Sequence, residues 1–282
     1  MLVIETQKLS RSFGELHAVQ ELDLAIEEGE IFGFLGSNGA GKTTTISMLT
    51  GQLRPSAGAA RVMGQDVSVD SKALSHMIGV VFEFPNLYLR LTAYQNLYFA
   101  AQLYDVPSAR IDELLERMGL TDRAHDRVNE FSTGMRQKLL IARALVHQPC
   151  VLFLDEPTSG LDPSFARGIR ELVKSLREDG TTVFLTTHYM EEAEQLCDRV
   201  AFIEQGEIVR QGAPKELTRA FGKPLIKVEL KDGNVATLSL EIEEDRRQLA
   251  VWSEANALLS IHSQEPSLED VFVEVVGKPI EA

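Results

Sequence analysis

The segment Gly36-Ser37-Asn38-Gly39-Ala40-Gly41-Lys42-Thr43-Thr44 fits the phosphate-binding pattern G-x-x-x-x-G-K-[ST] and follows the apolar run Ile31 to Leu35. Glycines let the backbone close around an anion, so that successive N–H groups and the positive start of the next helix aim at phosphate oxygens. Lys42 adds a full charge for the β- and γ-phosphates of a nucleoside triphosphate, and the Thr43 hydroxyl is placed to ligate the Mg²⁺ that bridges them.

Carboxylates come from a second run. Val151 to Leu154 is continuously apolar, as a strand buried on both faces of a parallel sheet should be, and it ends in Asp155-Glu156-Pro157. Ligands of open α/β sheets bind at the carboxyl edge, where the phosphate loop also leaves its strand. Asp155 is the natural Mg²⁺ partner, directly or through water, which leaves Glu156 to orient and deprotonate the water that attacks the γ-phosphate. Taken alone, an acidic pair before Pro also reads as the start of a helix with no chemistry attached.

Three more segments complete an ordered set. Phe131-Ser132-Thr133-Gly134-Met135-Arg136-Gln137-Lys138 lies between the two runs, and Ser159-Gly160-Leu161-Asp162 and Thr186-Thr187-His188 come after them. In this order, over about residues 2 to 222, the chain resembles the ATP-binding subunit of ATP-binding-cassette (ABC) transporters. That family orders a phosphate loop, a glutamine loop, a Ser-Gly-Gly signature, a metal-binding Asp with a catalytic Glu, an S-x-L-D turn and a switch histidine. The resemblance implies that Phe13 stacks on adenine, that Gly36 to Thr44 hold the phosphates, and that Glu83 occupies the glutamine-loop position. It further implies that Ser132 and Gly134 contact the γ-phosphate held by a second subunit, that Asp162 ends the turn beside the nucleotide, and that His188 closes the site. Read by itself, a His after two threonines is a strand-end residue, and Phe13 beside Gly14 is an aromatic packing on the core.

Two departures from the family pattern stand out. Glu83 in Gly79-Val80-Val81-Phe82-Glu83-Phe84-Pro85-Asn86 replaces the usual Gln, and the signature reads Ser-Thr-Gly-Met. A carboxylate still ligates Mg²⁺ or its water, so turnover is retained in principle. Both changes are similar to those in the exporter branch for drugs, lipids, polysaccharides or sodium, whose ATPase is separate from its permease.

The elements that must position these residues follow from periodicity. Leu22, Leu24 and Ile26 alternate as in a half-buried antiparallel strand, whereas Phe165, Ile169, Leu172, Val173 and Leu176 share one helical face. Thr92-x-x-Gln95 forms a capping box ahead of the stripe Leu97, Ala100, Ala101 and Tyr104. Ser108 is placed to cap a second helix with Ile111, Leu114, Leu115 and Met118 on one face, ended by Gly119. By resemblance this insert, about 86–134, touches the permease; Phe84, Leu87 and Tyr88 are then either contact residues or core. Beyond about residue 222, Ile226 to Leu230 and Val235 to Leu238 alternate around Asp232-Gly233 as a hairpin, and Ser267 opens a helix bearing Leu268, Val271, Phe272 and Val275. The expected fold is α/β: a P-loop NTPase (RecA-like) core with an antiparallel β subdomain and a helical insert over 2–222, and a small α+β appendage over 223–282.

Composition narrows the setting. With 42 acidic and 28 basic residues among 282, the net charge of -14 argues against a nucleic-acid surface and against a polybasic lipid anchor. No apolar run approaches the roughly 18 residues of a membrane span, and Met-Leu-Val-Ile-Glu lacks the pattern of a leader. Cys150 and Cys197 frame no metal spacing or disulfide scaffold, Cys150 reading as a small core residue. These features imply a cytoplasmic protein whose membrane contact runs through protein, and the resemblance implies that this partner is a permease. One phosphate loop is present, so a composite site requires a dimer or a homologous ATPase partner. A GTP switch would need Asn-Lys-x-Asp, which is absent, and a small-molecule kinase has no use for the signature. ABC ATPases of translation or repair resemble tandem cassettes or carry a long coiled coil, and this chain has neither.

Overall fold

The computed structural model describes residues 1–69, 72–84, 86–221, 225–264 and 266–277. Pro85 of the glutamine-loop segment and residues 222–224, where the expected boundary falls, lie outside them. Two compact units are present, one spanning Met1–Gln211 and one beginning at Gly212.

A six-stranded sheet carries the first unit. Its spatial order is Glu207–Gly212, Arg199–Glu204, Ile31–Leu35, Thr182–Thr187, Val151–Asp155 and Ile78–Val81. From Arg199–Glu204 onward every neighbouring pair is parallel. Ile31–Leu35, Val151–Asp155 and Thr182–Thr187 are buried at every position, which accounts for their uninterrupted apolar runs. Phe184 packs against Phe32, Phe34 and Phe153 at ring-centroid separations of 5.8, 5.6 and 5.6 Å, so aromatic contact locks the central strands together. The register is what matters for chemistry. Leu35 pairs with Thr187 and Asp155 with Thr186, so the phosphate loop, Glu156 and His188 all leave the sheet at one edge.

A second, antiparallel sheet is built on the long strand Leu2–Phe13, which pairs with Leu16–Leu22, Ala25–Glu27 and Ala57–Val62. The alternating Leu22, Leu24 and Ile26 are all buried in its core. This sheet ends at Phe13 and so delivers that ring.

In the helical insert the Thr92–Gln95 capping box forms in both directions at the start of Ala93–Leu103. Leu97, Ala100 and Ala101 are buried, and Tyr104 stacks on His147 at 4.0 Å. The second helix, Ala109–Arg117, buries Ile111, Leu114 and Leu115, and Gly119 closes it at φ +65°. Ser108 does not cap it as expected: at φ -61°, ψ -25° it is already helical, so its hydroxyl cannot reach back to a free N–H. Of the three doubtful residues, Phe84 is 82% exposed and Tyr88 50%, whereas Leu87 is core. Cys150 is exposed rather than buried. Its backbone is tied to Met77 and Thr182, which turns the side chain outward before Val151 enters the sheet.

The second unit has a three-stranded antiparallel sheet in the order Val235–Ser239, Leu225–Leu230, Leu258–Gln264. Its small core of Ile226, Val228, Leu230 and Leu238 is covered by Leu249 and Trp252 of Glu243–Glu254. Ser267 caps Leu268–Val276 in a capping box with Asp270, and that helix packs with Pro214–Phe221. Pro214–Phe221 thus belongs with this unit, which starts one helix earlier than residue 223.

Candidate active site

The loop after Ile31–Leu35 can be built only with glycine at two points. A Cβ on Gly36 would lie 2.2 Å from the Ile203 carbonyl oxygen, and one on Gly41, at φ +111°, 2.5 Å from that of Ala18. Held this tightly, the loop feeds into helix Lys42–Leu49, whose first N–H groups face the same space. Ser37 donates its hydroxyl to Glu204 at 2.9 Å, and Ala40 is buried, so the two sides of the loop are anchored.

Lys42 is buried, and its Nζ donates to the carbonyls of Gly36 at 2.7 Å and Ser37 at 3.3 Å. The same ammonium lies 3.0 Å from Glu156 Oε1. Thr43 Oγ1 donates to Asp155 Oδ2 at 2.7 Å, and Thr186 Oγ1 donates to Asp155 Oδ1 at 2.5 Å, so both carboxylate oxygens of Asp155 are oriented. Glu156 sits at φ +49°, in the left-handed region that a side chain with a Cβ adopts at a cost of about 1–3 kcal/mol. Its N–H donates to the carbonyl and the hydroxyl of Thr186, both at 3.1 Å, which offsets that strain. His188 Nδ1–H donates to Glu156 Oε2 at 2.9 Å.

The cavity above the loop has a volume of about 430 Å³ and is bordered by Phe13, Lys42, Thr43, Thr44, Glu83 and Glu156, with the backbone of Asn38, Gly39 and Gly41. Phe13 is 46% exposed rather than packed on the core, and the Arg11 guanidinium lies 4.5 Å from its ring centroid. Ser132, Gly134 and Asp162 do not border this cavity. Ser132 is exposed and caps Thr133–Ala144 by accepting from the Met135 N–H at 3.3 Å, while Asp162 is the exposed N-terminal residue of Pro163–Glu178. Gly134 has a packing reason as well: a Cβ there would lie 2.4 Å from the Phe165 ring. Sequence reasoning missed Thr186, whose hydroxyl donates to the Asp155 carboxylate and which accepts the Glu156 N–H through its hydroxyl and carbonyl. Its signal was present in the Thr-Thr-His run but named only the histidine.

These groups fit a nucleotide with Mg²⁺. Thr43 and Asp155 provide hard oxygen donors side by side, as Mg²⁺ requires of a protein that leaves its other positions to phosphate and water. Glu156 Oε1 is buried and lies 3.0 Å from the Lys42 ammonium, so the carboxylate is held beside the cation of the phosphate loop.

Comparison with known proteins gives the family. A family model described as ABC transporter matches residues 19–159. A fluoroquinolones export ATP-binding protein of Mycobacterium tuberculosis is 43% identical over 267 residues, covering 93% of this chain and 89% of that protein. The bacitracin transport ATP-binding protein of Bacillus licheniformis is 36% identical over 299 residues, covering 98% and 97%. Among solved structures, a cassette from Clostridium perfringens described as part of an ABC transporter complex is 30% identical at a TM-score of 0.71, covering 78% of this chain and 92% of that one. A dimeric ATP-binding cassette bound to ADP and phosphate after hydrolysis is 28% identical at a TM-score of 0.68, covering 74% and 98%. Likeness of fold alone does not extend sequence identity across nearly the whole length of both chains, and on that ground this chain belongs to the ABC transporter family as an ATP-binding, Mg²⁺-dependent ATPase subunit.

Proposed function

We propose that this chain is the ATPase of an exporter whose permease is a separate membrane protein, and that two ATPase chains share two composite sites. The observation that carries this reading is the split in its candidate residues. Lys42, Thr43, Asp155, Glu156 and His188 form one bonded cluster, while Ser132 and Asp162 are exposed at helix starts that do not border the cavity. Exposed helix N-termini suit an anion supplied from outside the chain.

Within the site, the loop backbone and Lys42 hold the β- and γ-phosphates, and Phe13 offers its exposed face to the adenine. Thr43 and Asp155 would hold Mg²⁺, with Glu83 at the cavity wall as a third oxygen donor; when bound, the ion neutralises phosphate charge. Glu156 accepts a proton from water, and His188 fixes its Oε2 so that the carboxylate cannot rotate away.

Export is supported by the fluoroquinolone-export and bacitracin-transport relatives and by Glu83 and the Ser-Thr-Gly-Met signature. The reading assigns the permease contact to the helical insert, where Tyr88 is exposed at a groove of about 780 Å³ lined also by Leu74, Leu87, Phe99, Leu103 and Tyr104, and Phe84 is exposed just ahead of it in the chain. No described helix is long and apolar enough to cross a membrane, and the proposed location is the cytoplasmic face of the membrane, through the permease.

Complementation tests the composite site. Lys42→Ala and Ser132→Arg are each expected to be inactive as homodimers and to regain ATPase activity when mixed with ATP, because a mixed dimer holds one intact site. Full activity of Ser132→Arg alone contradicts the reading, since a bulky cation would then be tolerated at the γ-phosphate contact.

A further inference from the structure

Glu192 is a carboxylic acid the reaction scheme above does not use, yet it is buried directly behind the site. It lies four residues past His188, on helix Met190–Leu196, with 4% of its surface exposed. The Thr158 hydroxyl, itself buried, donates to Glu192 Oε2 at 2.9 Å. Thr158 follows Glu156 by two residues, with Pro157 between them restricting the backbone. On the other side, the Thr187 hydroxyl interacts with the Glu192 carboxyl and accepts the Tyr189 N–H at 3.0 Å, pinning the turn that holds His188.

We infer that Glu192 is a positioning residue for hydrolysis: through Thr158 and Thr187 it fastens the chain leaving Glu156 to the turn carrying His188, so that base and imidazole keep one geometry. This rests on the roles proposed above for Glu156 and His188. The need for such a tie is visible in the backbone. Glu156 is held at φ +49°, a conformation that persists only when its surroundings over-determine it. The Thr186 bonds restrain it from the strand side, and the Glu192–Thr158 bond restrains it from the side of the departing chain.

Burial raises the Glu192 carboxyl above its ordinary range and the nearby Glu156 adds to the effect, against the pull of the Thr158 and Thr187 hydroxyls and of Arg170 on the neighbouring helix. Cys197, just past the end of that helix, is in turn pushed well above its ordinary value by burial and then by Glu192. Glu192 Oε1 accepts no hydrogen bond among the described residues. The tie needs only a side chain of the same shape with an oxygen that accepts the Thr158 hydroxyl, and glutamine is that side chain.

The test uses the full chain with MgATP and compares Glu192→Ala, Thr158→Val and Glu192→Gln. Both Glu192→Ala and Thr158→Val are expected to lower kcat by about tenfold or more, because small misplacement of a reacting group is costly. The KM for ATP should stay within about twofold, since the phosphate loop is untouched. Glu192→Gln should recover kcat to within about threefold of wild type. The double variant Glu192→Ala/Thr158→Val should be no slower than the slower single one, since the two side chains act as a unit. Thr158→Val removes only a hydroxyl, so it carries the test if Glu192→Ala does not fold. Wild-type kcat in folded Glu192→Ala or in Thr158→Val, losses that multiply in the double variant, or Glu192→Gln as slow as Glu192→Ala would each overturn the inference. Glu156→Gln run in parallel separates the two levels: if it is inactive while Thr158→Val is normal, only the positioning role fails, and if it turns over normally, the assignment of the base beneath it fails.

Discussion

Replacing Glu156 by glutamine tests the centre of the site. The side chain meets Lys42 at 3.0 Å and His188 at 2.9 Å in a pocket where it is only 8% exposed. Gln keeps the length and one acceptor but cannot take a proton. Loss of a general base costs about 10²- to 10⁴-fold, or about 3–5 kcal/mol in the barrier. Folding should suffer less than when a buried charge is abandoned, about 3–5 kcal/mol, because the Lys42 ammonium retains the Gly36 and Ser37 carbonyls. ATP binding should persist, since Asp155 and Thr43 are unaltered. Phosphate release at saturating MgATP, equilibrium ATP binding and size-exclusion chromatography with ATP form the assay. The expected pattern is collapsed turnover, retained binding and accumulation of an ATP-bound dimer. Glu156→Asp refines it, since withdrawing the carboxylate by about 1.5 Å, one carbon–carbon bond, prevents it from holding Lys42 and His188 together. Turnover of Glu156→Gln within a few-fold of wild type would refute the assignment of Glu156 as base.

Glu83→Gln should change the metal dependence or the ATPase rate with the fold intact; superimposable Mg²⁺ and Mn²⁺ titrations and equal rates would remove Glu83 from the metal shell. Gly134→Ala should destabilise by about 1–3 kcal/mol in urea unfolding, against the usual gain for Ala in a helix, because its Cβ meets the Phe165 ring at 2.4 Å. Adding Phe165→Ala should relieve that clash, and equal stability with and without the ring would rule out the packing account. His147 is half-buried and held below its ordinary range, mainly by that burial, so the unfolded chain takes up its proton first. Stability should therefore fall as pH drops from about 6.5, and His147→Gln should flatten that fall; parallel pH–stability curves for the two proteins would exclude His147 as the source.

The sequence alone determined the parts whose chemistry is contiguous. A phosphate loop is legible because glycine and lysine at fixed spacing answer a local demand, and the structure supplies that demand at Gly36 and Gly41, where a Cβ has no room. The capping box at Thr92 and the cap at Ser267 are legible for the same reason, each joining residues three apart. Buried strands such as Val151–Asp155 declare themselves by composition, because a strand covered on both faces tolerates no alternation. The helix Glu243–Glu254 and the strand Leu258–Gln264 escaped such a reading: the helix has no fully buried residue, so its apolar pattern is weak. Ser108 and Cys150 were misplaced because a backbone angle and a backbone tie, neither written in residue type, decide where their side chains point. Only the tertiary structure decided that Leu35 lies beside Thr187 and Asp155 beside Thr186. That register brings Lys42, Glu156 and His188 within hydrogen-bonding distance, sets Phe165 against Gly134 and puts Glu192 behind Thr158. Such pairings join segments far apart in the chain, and they are specified by the sum of buried contacts in the sheet rather than by any one stretch of residues.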